Sequence, residues 1–260
     1  MTLNKHSLQQ LIRKARDERS GTTEAGSGRT IDPPLCLHTN PNPVTRSDLS
    51  NVHGIHGISV SNDFLDLKGS DAILSWFLSV KRSFVTLRGR LCLPLGGRVT
   101  ASGLVVRDDI PDWLRGIMNA VFEQFLKPRG LPRPNHALVN AYEPGEGIMA
   151  HEDGPAYTPY ATVLSVGSSC VFDFLTKSRS RAAQIYLPVG SLLLFTDEAY
   201  KDYLHEVRHD KHDFITPSVL NTETIDHSRL GDSYVRESDR VLVRGFRLSI
   251  TMRHVPVSSS

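Results

Sequence analysis

The sequence predicts an α+β fold that is mainly β: a double-sheet jelly roll with supporting helices on one side. Three observations carry this. From His136 onward the chain breaks into short apolar segments, HALVNAY, ATVLSVG, CVFDFL, AAQIYL, SLLLFT and YLHEV, separated by Gly, Pro and Ser. Near the C-terminus, Arg247 to Arg253 alternates polar and apolar without a break, the period of a strand with two unlike faces. Before both, Trp113, Leu114, Ile117, Met118, Val121, Phe122, Phe125 and Leu126 recur at helical spacing.

The totals bound the answer. At 260 residues, with 39% hydrophobic and 22% charged content, a real core can form. A net charge of +2 is too mild to identify a nucleic-acid binder by itself. Cys36, Cys92 and Cys170 are scattered and odd in number, which argues against a disulfide framework or zinc knuckle. They fit a reducing, intracellular setting, nucleus or cytoplasm. No apolar run approaches the ~20 residues of a membrane span, so no membrane partner is expected, and the expected state is a monomer.

Residues 1–51 read as a basic, largely disordered extension, with a short frayed helix over 4–19 and a Gly-, Ser- and Pro-rich stretch to about residue 50. A single domain is expected over 52–256, with a polar loop or insert at about 208–240, and 257–260 as a tail. GISVSNDFL reads as a strand entering a turn. Ser70-Asp71 is a candidate cap for a helix carrying Ile73, Leu74, Phe77 and Leu78. Lys81 to Arg107 holds six basic residues, Arg88 and Arg90 among them, and no acid. This is either a solvated loop or a flap that follows a phosphate backbone. Asp108, Asp109 and Pro111 mark the start of the apolar-striped helix, and Pro128 and Gly130 its end.

The residues that carry chemistry begin in NHALVNAYEPGEGIMAHED, read as a β-hairpin reversing at EPGEG. Asn140 and Tyr142 share one face of its first arm. His151 and Asp153 share a face of the second arm if it stays extended to its end. An imidazole and a carboxylate two residues apart suit a first-row metal. The spacing alone is weak, and a polar turn with a satisfied histidine is the bland alternative. His205, in the short strand YLHEV, supplies a third ligand. His-x-Asp followed by a distant His is the order of the 2-His-1-carboxylate triad of non-haem Fe(II) oxygenases. His209 and His212 lie in a charged, loop-like stretch without a third partner. In RLSITMR one face is Arg247, Ser249, Thr251 and Arg253, and the other is Leu248, Ile250 and Met252. The polar face is either an edge in solvent or a guanidinium clamp for a dicarboxylate.

NAY, HED and RLSITMR together resemble the N-x-Y, H-x-D and R-x-[NS]-x-T-x-R motifs of AlkB-type Fe(II)/2-oxoglutarate dioxygenases. The strings NAYEPGEGIMAHEDGPAY, GSLLLFTDEAYKDYLH and RGFRLSITMRHVP are similar to the sixth AlkB-homologue subgroup. The likeness covers about residues 52–256. It implies a double-stranded β-helix in which His151, Asp153 and His205 bind Fe(II). Asn140 and Tyr142 would hydrogen-bond the cosubstrate 2-oxoglutarate. Arg247 would pair with its distal carboxylate, Arg253 would approach its iron-chelating end, and Ser249 would support the site. No catalytic side chain beyond the metal centre is implied. With O2 as second cosubstrate, hydroxylation of an N-methyl carbon would release formaldehyde, succinate and CO2.

The chain departs from the family at three places. Pro155 stands where base-repairing members often carry an acid, Glu206-Val207 where the subgroup has Gly-Ile, and Leu95 where a Trp is common. Three functions follow for testing: demethylation of a base in single-stranded DNA or RNA, the same oxidation of a protein or small molecule, and a non-catalytic binding module. The basic run supports the first, with Tyr157 and Tyr160 as candidate walls for a flipped base. Pro155 favours the second.

Overall fold

The apolar segments do fold as strands, but most of them do not pair with their neighbours in the chain. The computed structural model describes residues 46–48, 55–87, 89–100, 103–106, 109–221 and 241–256, with the backbone alone at 46–48, 100 and 103–106. In order, its strands are β1 (Arg46–Asp48), β2 (Ile58–Ser61), β3 (Val85–Leu87), β4 (Arg90–Leu95), β5 (Gly97–Thr100), β6 (Gly103–Val106), β7 (His136–Tyr142) and β8 (Ile148–His151). Then come β9 (Tyr160–Val166), β10 (Cys170–Leu175), β11 (Arg181–Leu187), β12 (Leu192–Thr196), β13 (Leu204–Val207), β14 (His212–Phe214), β15 (Val241–Val243) and β16 (Arg247–Arg253). The helices are α1 (Leu67–Val80), α2 (Asp112–Val121) and α3 (Asp197–Lys201).

Two sheets face each other. The larger runs β1-β2-β12-β9-β16-β7-β4-β3 and the smaller β11-β10-β13-β8. The chain crosses from one sheet to the other between β7 and β8, β8 and β9, β9 and β10, β11 and β12, and β12 and β13, which is the jelly-roll connectivity. The expected hairpin over 136–153 is therefore corrected. Both edges of β7 are taken, by β4 and β16, so β8 pairs instead with β13. EPGEG still reverses the chain, with Glu146 N–H donating to the Glu143 carbonyl, but it turns a corner between sheets.

Each layer buries what its alternation dictates. Leu248, Ile250 and Met252 of β16, with Ala137 and Val139 of β7, pack on Ile73, Leu74 and Phe77 of α1 and Trp113, Leu114 and Ile117 of α2. The helices thus cover the outer face of the larger sheet. Between the sheets, Ile58, Val163, Leu193 and Phe195 meet Phe172, Phe174, Ile185 and Val207. Every side chain of this size taken fully out of water contributes about 2 kcal/mol. A third cluster, Val171 and Tyr186 with Ile215, Val219 and Leu242, lies on the outer face of the smaller sheet.

Several local features differ from what the sequence predicts. Asp66 caps α1 by accepting from Gly69 N–H at 2.7 Å. Ser70 lies inside that helix, buried, where its hydroxyl accepts from Gly167 N–H. Asp109 accepts from Gly96 N–H at 2.6 Å, so it braces the flap turn rather than α2, which starts at Asp112. After Val121 the helix passes through a π-helical turn, Phe122–Leu126, that keeps Phe125 and Leu126 buried. VLVRGFRLSITMRHV, which reads from the sequence as one final strand, is two strands, broken at Arg244-Gly245-Phe246. The polar stretch after His209 is not all loop, because β14 pairs with β15. Arg46–Asp48, within the expected disordered extension, pairs with β2. The expected helix over 4–19, Arg88, Asp108 and the tail lie outside the described residues. Among the described residues, no helix is long and apolar enough to cross a membrane.

Candidate metal and cosubstrate site

Cross-strand register assembles the site. On β16 and β7, Arg247 stands opposite Tyr142 and Ser249 opposite Asn140. On β9, Ser165 stands opposite Ser249, and on β4, Cys92 stands opposite Asn140. Side chains directly opposite share a face, so the polar half of β16 looks between the sheets. The smaller sheet answers from across the gap: His205 of β13 is paired with His151 of β8. The alternation read in RLSITMR thus holds, with the polar face buried too. It lines a cavity of about 260 Å³ with Asn140, Tyr142, His151, Asp153, Tyr157, His205 and Arg90.

Ligand atoms of His151, Asp153 and His205 all lie within 4.8 Å of one another. The two imidazole rings are 4.3 Å apart between centroids. His151 Nδ1 is 2.9 Å from the Met149 carbonyl. A carbonyl can only accept, so Nδ1 carries the proton and Nε2 keeps its lone pair for a metal. His205 stacks on Phe172 at 5.7 Å and packs against Phe195. Burial pushes its pKa down to about 3, with the neighbouring Asp153 opposing, so it is neutral, the form that ligates. Burial likewise lowers His151. β8 stops at His151, so Asp153 is not placed by strand alternation. Arg253 places it, with Nε 2.9 Å from Oδ2 and Nη2 2.5 Å from Oδ1, a two-pronged pair. Gly147 keeps β8 close to β13: a Cβ there would sit 2.2 Å from the Val207 carbonyl.

Arg247 decides what else the cavity takes. It is 4% exposed, and its Nη2 donates to Ser165 Oγ at 2.9 Å. Its Nε and Nη1 are buried with no partner, and among the described residues no carboxylate pairs with it. A buried cation with free forked donors is costly unless an anion completes it. The Tyr142 ring lies 5.7 Å beneath the guanidinium. A bidentate carboxylate fits these donors, in the same cavity that His151, Asp153 and His205 line. The residues therefore fit both Fe(II) and 2-oxoglutarate.

A family profile described as the 2OG-Fe(II) oxygenase superfamily matches residues 99–253. The chain belongs to this superfamily. It is 33% identical over 188 residues, 68% of this chain and 75% of its relative, to a zebrafish (Danio rerio) protein named "Probable RNA/DNA demethylase ALKBH6". It is 32% identical over 148 residues to the mouse (Mus musculus) tRNA (carboxymethyluridine(34)-5-O)-methyltransferase ALKBH8, covering 56% of this chain but 21% of that one. A solved structure, OsALKBH1, aligns with a TM-score of 0.47 at 17% identity over 76% of this chain and 96% of that one. The oxygenase is of AlkB type, an oxidoreductase that uses Fe(II), 2-oxoglutarate and O2.

The other residues singled out in the sequence fall in different places. Tyr157 lines the cavity, its ring 4.8 Å from the Arg253 guanidinium. Tyr160 does not. It is fully buried on the helix side, its hydroxyl donating to the Pro132 carbonyl at 2.8 Å, and burial pushes its pKa up. Arg90 is 8% exposed and donates through Nε to Asn140 Oδ1 at 3.0 Å, so it is a cavity residue and not a surface contact for phosphates. Pro155 is exposed and lines neither the cavity nor its mouth. Leu95 packs in the helix-side core, and Glu206 stands opposite Asp173 in the β10–β13 ladder. Sequence reading missed Ser165, Phe172, Phe195 and the Met149 carbonyl. Ser165, Phe172 and Phe195 are brought in by non-local register and packing; the Met149 carbonyl lies two residues from His151, but a backbone acceptor leaves no mark in side-chain type.

Proposed function

We propose that this oxygenase oxidatively demethylates an alkylated nucleic-acid base, with His151, Asp153 and His205 holding Fe(II). One observation carries the cosubstrate half of this reading: a buried, half-unpaired guanidinium at Arg247, in the cavity that the three ligands line. Arg247 would receive the distal carboxylate of 2-oxoglutarate, with Tyr142 and Asn140 beside it. Arg253 holds the Asp153 carboxylate oriented towards the two histidines with which it would hold the metal. Bound iron supplies the activation of O2. In the overall reaction one oxygen atom goes to succinate as CO2 leaves. The other enters a C–H bond of the N-methyl group, and the N-hydroxymethyl product releases formaldehyde while the ring nitrogen takes a proton. The nucleic-acid class rests on the names of the relatives and on an open cleft of about 480 Å³ that reaches His151 from outside.

Protein reconstituted anaerobically with Fe(II), then given O2 and 2-oxoglutarate, is expected to form succinate, and His151→Ala or a chelator to reduce this to background. Methylated oligonucleotides should yield formaldehyde in step. No succinate under any condition would point to a binding module. Formaldehyde from methylated peptides but not from oligonucleotides would transfer the same chemistry to a protein substrate.

A further inference from the structure

The outer cleft says which kind of base the site accepts. Arg90, Ile148 and His151 line both this cleft and the inner cavity, so the two are continuous. Leu87 and Met149, which also line the cleft, are 47% and 57% exposed, an aliphatic rim against which a planar ring can pack. Among the described residues no carboxylate lines the cleft, and the inner cavity's carboxylate, Asp153, is occupied by Arg253. Arg90 is more than nine-tenths buried at the junction. Its hydrogen bond to Asn140 uses only Nε, and among the described residues no acid pairs with it.

Among the described residues, a ring entering this cleft therefore meets a cation and no unpaired anion. A positively charged methylated base would be desolvated beside a guanidinium with nothing to balance it. A neutral base with a ring carbonyl would accept a charge-assisted hydrogen bond from the free end of the same guanidinium. A backbone phosphate is a poorer fit, because Arg90 lies below the aliphatic rim. We propose that Arg90 is a specificity-determining residue that selects neutral, carbonyl-bearing N-methylated bases over cationic ones. This rests on the demethylase reading above and adds the charge class of its substrate.

The test compares two single-stranded oligonucleotides identical except for one base: 3-methylthymine, neutral with two ring carbonyls, and 1-methyladenine, positively charged at neutral pH. With Fe(II)-loaded wild-type protein, formaldehyde release is expected to favour 3-methylthymine in kcat/KM by about tenfold or more, the scale of one charge-assisted hydrogen bond. In Arg90→Met the ratio should collapse to within about threefold of unity. Because Arg90 also holds Asn140, the variant will lose overall rate and raise the KM for 2-oxoglutarate. That loss applies to both oligonucleotides and cancels in the ratio, and the wild-type ratio needs no variant to fold. A wild-type preference for 1-methyladenine, or a ratio that survives Arg90→Met, overturns the inference and leaves the demethylase reading standing. Succinate formation with neither oligonucleotide demethylated overturns both. Absence of succinate altogether sinks the demethylase reading itself, and this inference with it.

Discussion

Two arginine clusters, on opposite faces of the smaller sheet, are buried to similar depth and treated in opposite ways. On the outer face, Arg244 is 6% exposed and Asp213 fully buried. Arg244 Nε and Nη2 lie 2.6 and 2.5 Å from the two Asp213 oxygens, and its Nη1 donates to the Arg208 carbonyl. Asp213 also accepts from Val171 N–H, and Arg208 Nε lies 3.0 Å from Asp173. Asp173 accepts in turn from Gln184. On the inner face, Arg247 is 4% exposed and meets one hydroxyl. A protein that satisfies one buried guanidinium fully and leaves another with two idle donors is using the first for structure and keeping the second for a ligand.

The contrast is broken most directly by the same substitution on both sides. Arg244→Met should destabilise the protein by about 3 kcal/mol, since it removes the two-pronged partner of the buried Asp213 carboxylate and leaves it Val171 N–H and Arg208 at 3.6 Å. Arg247→Met strands no charge, only the Ser165 hydroxyl: the apo protein should be changed little or be more stable, because an uncompensated buried charge has gone. Its penalty should appear in the KM for 2-oxoglutarate, about 30-fold or more, from a truncated charge pair worth ~2–5 kcal/mol. Urea unfolding of both apo variants, together with 2-oxoglutarate titration of Arg247→Met, checks the pair. Equal destabilisation by the two changes would erase the distinction.

Acid sharpens it further. His136 is 3% exposed with Nδ1 unpartnered. Burial lowers its pKa to about 4, Arg253 adding to the effect and Asp109 opposing it; His205 is lowered to about 3. Both lie on the site side. As pH falls below about 6.5, the ordinary histidine value, the unfolded chain takes up protons that the native protein refuses. Stability is therefore lost as pH drops, by on the order of 1 kcal/mol per unit for each histidine. The loss ends near pH 4 for His136 and near 3 for His205, where the native form is protonated too. His136→Leu should flatten the slope of unfolding free energy against pH between 6.5 and 4. An unchanged slope would show that His136 is protonated in the native state.

The smallest effect belongs to Tyr160, which reads from the sequence as a pocket wall and packs in the core. Tyr160→Phe removes the hydroxyl donor to Pro132, and thermal unfolding should report a loss of about 1 kcal/mol. The KM for 2-oxoglutarate and for oligonucleotide should not move. A change in either would return Tyr160 to the site.

Much of the site was legible because its signals are local. RLSITMR announces both its faces by alternation, and Leu248, Ile250 and Met252 do enter the core while Arg247, Ser249 and Arg253 line the cavity. HED places two ligand types within one reach of chain. His205 was legible only through its order after them, since nothing in YLHEV itself marks a ligand. Arg90 and Tyr160 were misplaced because their burial depends on partners tens of residues away: Asn140 for one, Pro132 for the other.

Composition and alternation determined on their own that this chain is mainly β, with a polar strand face and a candidate set of metal ligands; the resemblance of three short motifs to a known family pointed those residues to iron and a dicarboxylate. Those properties are written in side-chain type and period, which survive in one dimension. Tertiary structure alone decided that the segment 136–153 bends between two sheets instead of closing on itself, and that Arg247 is left unpaired while Arg244 is not. A turn sequence specifies a reversal, not which strand will occupy the free edge of each arm. Likewise a guanidinium has the same chemistry everywhere in the chain until folding determines which anions stand beside it.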